Sequence, residues 1–380
     1  MMAKVRLFTP GPTMVPEEVL LEMARPIEHH RTSEFRALTG EVLDGLRYVF
    51  QTETLPLIVA SSGTGTMEGA IVSTCKPDRK ALVARGGKFG ERWAEVCEAF
   101  NIPCVCYDVE WGHGAKADAV KTYLDNDPQI GYVILTHSET STAAVSELEA
   151  IAAITRERDV LLLVDGITAV GAIPFKMDAW GVDIAVTGSQ KAMMLPPGLG
   201  FAAVSDRAWQ RIESFQSPTY YTNFAAYRKA MSANDSPYTP AVSLMRGARK
   251  SLELIRAEGI ENVWKRTAAL ARATRAGAEA LGMKLFATDP VDSVTALLVP
   301  DGADEGAFRK TLLKRFGCNL AGGQAQLKGK IVRISHMGYV DVVDTLGVVA
   351  AMETVLKQMG QPVKVGAGVA AFQCAWAQEA

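Results

Sequence analysis

The sequence predicts an α/β protein, with a mainly parallel, doubly covered sheet in a large domain and a smaller α+β domain after it. Short apolar runs alternate with helical stretches, and the predicted strands lie near residues 57, 81, 103, 132, 161, 183 and 200. Such alternation places successive strands in one sheet with helices on both faces. A second, shorter alternation runs from residue 294 to 359 and predicts the smaller domain.

The composition limits the classes of function that the chain can have. Its 380 residues are 48% hydrophobic and 22% charged, which suits one large or two medium domains. A net charge of −2 gives no electrostatic case for nucleic acid. Since no apolar run approaches the roughly 20 residues of a membrane span, and the N-terminus lacks a signal-peptide core, we expect a cytoplasmic protein without membrane partners. The six cysteines form no CxxC pair, so no metal site is expected.

The first 16 residues predict an extended arm. The stretch RLFTPGPTMVP (6–16) is too rich in proline and glycine for a helix or a central strand, and a tight turn is expected at Pro10-Gly11-Pro12. Helical patterns follow at 17–24 and 34–51.

A glycine-rich turn follows the first predicted strand, 57–60. The sequence SSGTGTMEG (61–69) leads from the strand into a helix, so free backbone N–H groups and the positive helix end can hold a phosphate. The same pattern also passes for a dinucleotide fingerprint. Residues 1–56 precede it, however, and the next strand ends in Arg85 where an acidic ribose anchor would stand.

Polar stretches follow the next strands. The loop GGKFGERW (86–93) carries Phe89 between glycines and precedes a helix predicted at 92–100. Strand 103–109 and helix 116–126 come next. Strand 132–135 then runs into a dense polar run, 136–142, which suits either ligand hydrogen bonding or helix capping.

Residues 161–201 carry the chemistry that is easiest to recognise. A buried strand, Leu161–Val164, ends in Asp165, and a second strand, Asp183–Val186, is followed by the turn TGSQ and by Lys191. An acid and a lysine at these positions lie on the same edge of a parallel sheet. That pair suits pyridoxal phosphate (PLP), because the lysine bonds to the cofactor aldehyde while the acid keeps the pyridine nitrogen protonated.

The C-terminal half continues with a segment, 208–235, that is difficult to assign. Helices are predicted at 242–259 and 262–281, a strand at 294–299, a helix at 304–316, a strand at 331–335 and a helix at 341–359. The tail from residue 361 is either disordered or held on the surface. The predicted division is an arm (1–16), a large domain (17–245), a small domain (246–360) and a tail (361–380).

The motifs VDGITAVG (164–171) and TGSQKAMMLPPGLGF (187–201) resemble the core of the class V PLP-dependent aminotransferases, specifically the alanine–glyoxylate and serine–glyoxylate aminotransferase family. The resemblance spans about residues 5–358, with the motifs in the family's order. It implies PLP fold type I, with PLP as the cofactor.

The resemblance also implies a role for each matching residue. Lys191 would bind the cofactor covalently and shuttle a proton, and Asp165 would hold the pyridinium proton. The cofactor ring would lie between Ile167 and Phe89, with Thr140 nearby. The cofactor phosphate would be held by Ser62, Gly63, Thr64, Gln190 and, from the neighbouring subunit of a homodimer with shared active sites, Thr239.

Two further positions concern the substrate. The segment around Gly11 would lie over the active site and offer backbone groups to the substrate carboxylate. Arg333, in the apolar strand IVRIS, would bind that carboxylate in a bidentate pair, since an unpaired arginine is costly to bury. A structural salt bridge is the alternative explanation.

The implied reaction is transamination between a small L-amino acid, alanine or serine, and a 2-oxo acid, glyoxylate or pyruvate. With Arg333 the one recognisable anchor, a dicarboxylate would bury its second charge unpaired. Two alternatives stay open. One is a cysteine desulfurase or lyase of the same fold, which needs a reactive cysteine such as Cys318. The other is a hydrogenase-associated electron-transfer subunit, a label that some similar proteins carry.

Overall fold

The structure, a computed structural model, describes residues 4–378. In chain order its strands are β1 (Arg6–Leu7), β2 (Leu57–Val59), β3 (Lys80–Arg85), β4 (Cys104–Asp108), β5 (Ile130–Thr136), β6 (Ser138–Glu139), β7 (Ala144–Val145), β8 (Leu161–Asp165), β9 (Ile184–Gly188), β10 (Gly200–Val204), β11 (Lys284–Leu285), β12 (Val294–Leu298), β13 (Cys318–Asn319), β14 (Ala321–Gly322) and β15 (Ile331–Ser335). Its α-helices are α1 (Glu17–Met23), α2 (Ser33–Phe50), α3 (Gly63–Thr74), α4 (Lys88–Ala99), α5 (Ala117–Asn126), α6 (Leu148–Arg156), α7 (Met177–Trp180), α8 (Asp206–Glu213), α9 (Phe224–Met231), α10 (Val242–Glu258), α11 (Ile260–Ala280), α12 (Glu305–Thr311), α13 (Val342–Gln358) and α14 (Ala367–Ala377).

The larger sheet of the described chain has seven strands in the order β2-β10-β9-β8-β5-β3-β4. The pairs from β9 through β4 are parallel, whereas β10 runs antiparallel to both of its neighbours. The reversal has a simple cause, because only residues 189–199 connect β9 to β10 and a parallel return needs a longer crossover. The prediction of a mainly parallel α/β sheet is confirmed.

Burial explains why the central strands read as apolar runs. Every residue of β5, β8, β9 and β10 is buried, as expected for a sheet with helices on both faces. Helix α3 packs on β9 and β10, and α4 packs on β3. This packing fixes the N-termini of both helices at the same edge of the sheet as the ends of β8 and β9.

A second, antiparallel sheet follows in the order β11-β12-β15-β14. It shares a separate hydrophobic cluster with α11, α13 and α14, and Phe8 of the N-terminal arm is fully buried in that cluster. The domain boundary predicted at residue 245 falls inside α10, and the four-part division of the chain stays a prediction.

Two stretches that the sequence left open are helical. The segment 208–235 holds the end of α8 and all of α9, with Ser205 and Asn223 as their N-caps. The tail, whose last two residues lie outside the described range, forms α14, which packs against α11 and α13. The buried carboxylate of Glu353 accepts hydrogen bonds from the Gly366 and Gly368 amides at its start, so the tail is held in place.

Residues 4–378 contain no helix that combines the length and the apolar character needed to cross a bilayer.

Candidate active site

Asp165 and Lys191 lie at the same edge of the large sheet, as the sequence predicted. β8 ends at Asp165, which is paired in register with Val186 of the adjacent parallel strand β9. β9 ends at Gly188, and Lys191 follows three residues later in the connection that turns back to β10. The short antiparallel return therefore keeps the lysine over the strand ends.

Asp165 is buried and Lys191 is half-buried, and the two side chains influence each other. Burial raises the pKa of Asp165 to about 7, against the opposing hydrogen bond that its carboxylate accepts from the Ile167 amide at 2.8 Å. Burial lowers the pKa of Lys191 to about 8, although the charge of Asp165 favours the protonated amine. A carboxyl group and an amine with pKa values shifted toward neutrality suit proton transfer near physiological pH.

The N-terminal arm covers Lys191. The Lys191 ammonium donates a hydrogen bond to the carbonyl oxygen of Pro10. Thr13 binds the same turn twice, since its amide donates to Gln190 O at 3.2 Å and its hydroxyl donates to Lys191 O at 2.8 Å. The arm therefore lies over Lys191, at the position predicted for it.

Gly11 leaves no room for a side chain between the arm and the lysine. Its φ is +121°, and a Cβ atom built on it would lie 2.2 Å from Lys191 Nζ. Both the backbone conformation and the space require glycine. Whether its backbone groups bind the substrate carboxylate, as the resemblance implies, stays a prediction.

We expect Gly11→Ala to lower activity by at least about 10-fold and to destabilise the fold by about 1–3 kcal/mol, because the new methyl group displaces Lys191 and strains the backbone. Steady-state kinetics and thermal unfolding measure the two effects. Gly302→Ala is a suitable control, since it also has positive φ but meets no atom within 4 Å. Equal activity losses in both variants would contradict the steric explanation.

The glycine-rich turn begins α3, as predicted. Ser62 is the N-cap, its side chain makes no capping hydrogen bond, and the first turn of the helix has no acidic residue. The N–H groups of that turn are thus available to an anion. Gln190 lies beside them, with its Oε1 3.0 Å from a Cβ built on Gly188. That oxygen is buried without a partner, so the amide is free to turn its NH₂ group toward a ligand.

Ile167 and Phe89 flank this region. Ile167 is buried, and its Cδ1 lies 2.5 Å from a Cβ built on Gly63, so a larger residue at that point of the turn would displace the Ile167 side chain. Phe89 is half-buried. The sequence placed Phe89 on a loop before a helix at residue 92. This was wrong, because α4 begins at Lys88 and Phe89 is in its first turn.

Glu139 explains the early start of α4. Its buried carboxylate accepts hydrogen bonds from the amides of Phe89 at 3.1 Å and Gly90 at 2.9 Å, and burial raises its pKa. The polar run 136–142 thus does cap a helix, but through Glu139, whereas the sequence predicted capping by Ser and Thr as one of its two readings. The sequence could not identify this cap, because Glu139 lies fifty residues after Phe89 along the chain.

Arg333 is buried next to Thr140. Its guanidinium donates to Thr140 O at 2.9 Å and to Gly322 O at 3.0 and 2.8 Å, and burial lowers its pKa to about 10. No carboxylate of the described residues forms a salt bridge with it, which disfavours the structural salt bridge considered above. The Thr140 hydroxyl pairs with that of Thr168 at 2.9 Å. The arginine is thus fixed by neutral carbonyls, and the nearby charge of Glu139 acts on it without forming a salt bridge.

Thr239 differs from these buried and half-buried residues in its exposure. It is exposed, next to Pro240 in the turn before α10. Its predicted contact is with a second subunit, so its role stays a prediction.

Arg92 is a site residue that the sequence analysis missed. It lies one turn along α4 from Phe89, and its guanidinium donates to Thr64 Oγ1 at 3.1 Å. Its charge contributes to the lowered pKa of Lys191 and opposes the raised pKa of Asp165. The arginine in FGER was visible in the sequence, but only the packing of α4 against α3 brings it to the site.

The sequence profile described as aminotransferase class-V matches residues 5–340. The chain belongs to the class V aminotransferase family.

Individual members differ in the activities that they are named for. The chain is 41% identical to the soluble hydrogenase 42 kDa subunit of Anabaena cylindrica, over 97% of each sequence. It is 37% identical to the L-aspartate–glyoxylate aminotransferase of Paracoccus denitrificans, over 97% of this chain and 95% of the relative. Identity to the serine–glyoxylate aminotransferase of Hyphomicrobium methylovorum is also 37%, over 96% and 93%.

The fold agrees with that membership. The structure of ureidoglycine–glyoxylate aminotransferase from Bacillus subtilis superposes with a TM-score of 0.94 at 26% identity, covering 99% of both chains. The class V aminotransferase described here is an enzyme of PLP fold type I, and PLP is its cofactor.

The residues present fit that cofactor. The α3 N-terminus and the unpartnered Gln190 amide suit its phosphate, and Asp165 suits its ring nitrogen. Glycines at positions 11 and 63 leave space that a Cβ atom would fill.

Proposed function

We propose that this aminotransferase transfers the amino group of L-alanine or L-serine to glyoxylate, with pyruvate as a second acceptor. The observation that carries the proposal is Arg333, a buried cation held by neutral carbonyls and without a carboxylate partner among residues 4–378. A substrate carboxylate would supply the missing anionic partner of Arg333, because a bidentate pair compensates the desolvation of the guanidinium.

The contacts of two other arginines, Arg309 and Arg92, favour a substrate with a small neutral side chain. Arg309, whose charge reaches Arg333, is paired with the buried carboxylate of Glu305. Arg92 donates to Thr64 and has the Phe89 ring beneath it. Since Arg309 is already paired and Arg92 is directed at the start of α3, a second carboxylate on the substrate would be left unpaired at a cost of several kcal/mol.

The proposed roles of the other residues follow from their positions. PLP, when bound, supplies an electron-accepting ring. Lys191 Nζ, whose pKa is depressed by burial, has enough free amine near neutral pH to take a proton from the substrate Cα and to return it. The carboxylate of Asp165 holds a proton on the ring nitrogen, and the arm at Pro10 and Gly11 excludes water from Nζ.

The test is a half-reaction with single amino acids. Enzyme without an acceptor is mixed with L-alanine, L-serine, L-aspartate or L-glutamate, and conversion of the cofactor to pyridoxamine phosphate is followed by absorbance. Alanine and serine should convert it at least about 100-fold faster than aspartate or glutamate, as expected for an unpaired buried charge. The relative named for L-aspartate makes aspartate the sharpest competitor. Rapid conversion by aspartate with alanine and serine inert refutes the proposal.

We further propose a cytoplasmic homodimer in which Thr239 contacts the phosphate bound by the partner subunit. Thr239 is exposed in a proline-flanked turn, and the ring of its neighbour Tyr238 packs against exposed Tyr220 and Tyr221. Apolar rings at 45% and 82% exposure suit burial against a second copy of the chain.

Mixed dimers test this arrangement. Lys191→Ala and Thr239→Glu protomers should each be nearly inactive alone, but a random mixture should recover roughly a quarter of wild-type activity, because each heterodimer has one intact site. The control mixes Lys191→Ala with Thr64→Glu. Thr64 belongs to the same chain's site as Lys191, so these heterodimers hold one lesion in each site and should not recover. Equal recovery in both mixtures would rule out a composite site.

The alternatives have less support. A desulfurase needs a reactive thiol, whereas Cys318 is buried in β13, which pairs with β1, and burial raises its pKa to about 11. Sulfide release from L-cysteine tests that function directly. The name of the Anabaena relative favours electron transfer, but the cysteine spacing in this chain matches no cluster-binding motif.

A further inference from the structure

Arg92 lies within the site, but it is not one of the residues proposed to move a proton or to bind the substrate carboxylate. It is half-buried on the first turns of α4 and forms no salt bridge with any carboxylate of the described residues. Its neighbours on α4 differ, because Lys88 is paired with Glu91. A charged side chain in this position, held by a neutral hydroxyl and an aromatic ring, is missing an anionic partner.

The contacts of Arg92 point toward the start of α3. Its Nη1 donates to Thr64 Oγ1 at 3.1 Å, and Thr64 is the second residue of that helix. Its Cζ lies 4.9 Å from the centre of the Phe89 ring, which fixes the guanidinium from the other side. The arginine thus connects the phosphate loop to the aromatic residue predicted to stack on the cofactor.

Electrostatics favours the phosphate as the partner. A phosphate monoester carries a charge of about −1.5 to −2 at neutral pH, whereas a helix N-terminus supplies the equivalent of about half a positive charge. Two arginines, Arg333 and Arg92, lower the pKa of Lys191. Arg333 is fixed against Thr140 and Gly322, and Arg92 is the one that contacts α3. The first turn of that helix also lacks an acidic residue that could neutralise it.

We propose that Arg92 is a positioning residue that sets the affinity for the cofactor phosphate by acting through the Thr64 hydroxyl. The inference rests on the proposed assignment of the α3 N-terminus to phosphate. The donated hydrogen bond fixes the Thr64 Oγ1 lone pair, so that the hydroxyl hydrogen points away from Arg92 and toward the anion. The guanidinium adds a charge that neutral backbone amides cannot supply.

The experiment compares PLP with pyridoxal, which has the same ring and aldehyde but no phosphate. Full-length wild type, Arg92→Gln and Arg92→Lys are stripped of cofactor and titrated with each compound by absorbance. Arg92→Gln should bind PLP about 10–100-fold more weakly and pyridoxal within about 3-fold of wild type, since only the phosphate interaction is lost. Arg92→Lys should recover most of the PLP affinity because it keeps the charge. Glu95→Gln, an exposed charge on the same helix, is the matched control.

A double variant separates this role from a structural one. Because Arg92 fixes the Thr64 hydroxyl, the double variant Arg92→Gln with Thr64→Ala should lose less PLP affinity than the sum of the two single losses. Equal losses for PLP and pyridoxal, or fully additive losses in the double variant, would overturn the inference. A wild-type chain that changes the absorbance of neither compound would instead refute the proposed cofactor site itself.

Discussion

Lys191→Ala is expected to give a folded protein that no longer holds PLP covalently and is at least about 10⁴-fold less active, the upper range for loss of a general acid–base group. The lysine amine is buried, its pKa is depressed to about 8, and it lies at the end of β9 beside Asp165. Removing it deletes both the covalent attachment and the group that moves the proton. Reduction of the wild-type enzyme with borohydride, followed by peptide mapping, should find the cofactor on Lys191.

Lys88→Ala is the matched control for that substitution. Lys88 is next to Phe89, but its ammonium is paired with Glu91. Its removal should leave cofactor attachment and activity within about 3-fold of wild type, as expected for an exposed ion pair. Labelling of Lys88, or of any lysine other than Lys191, would disprove the assignment.

Arg333→Lys should lower kcat/KM by about 100-fold, because loss of one charge-assisted hydrogen bond costs about 1.5–3 kcal/mol. The guanidinium makes three bonds to Thr140 O and Gly322 O while keeping N–H groups for a ligand. An ammonium group cannot satisfy these carbonyls and also form a planar two-bond pair with a carboxylate. The effect should appear mainly as a higher KM for the amino donor.

Arg309→Lys provides the comparison. Arg309 is close enough to influence Arg333, but its own partner is Glu305. Its substitution should change kcat/KM by no more than about 3-fold, since a partly exposed pair contributes little. Similar KM values for wild type and Arg333→Lys would show that the substrate carboxylate binds elsewhere.

The residues at the strand ends were predictable because their environment is set locally. β5, β8 and β9 read as unbroken apolar runs, and the first polar residue after such a run in a parallel sheet must lie at its edge. Asp165 follows from this rule, and Lys191 lies three residues after the end of β9. The turn at Gly11 was predictable from its prolines, whereas its place over the site was implied by the family resemblance. The glycine-rich turn at Gly63 was predictable from the pattern of a phosphate-binding helix.

What the sequence did not predict depends on contacts between distant segments. The start of α4 depends on Glu139, and the position of Arg92 depends on the packing of α4 against α3. α14 has an apolar sequence with a glycine near its start, and it is stabilised by α11 and by the Glu353 carboxylate. The helices in 208–235 were different, because Ser205 and Asn223 are readable N-cap signals.

The hydrogen bonds of the N-terminal arm constrain the order in which the protein folds during synthesis. The Arg6 amide bonds to Gly317 O, the Phe8 amide to Asn319 O, and the Ser335 amide to Phe8 O. Residues 6–8 are synthesised early, but they can form these bonds only after residues 317–335 have been synthesised. The large sheet is complete by residue 204, so it can fold while the arm is still unpaired. A nascent chain truncated before residue 317 lacks these three bonds, and only the contacts of Pro10 and Thr13 with the turn at Gln190 and Lys191 can then hold the arm over the site.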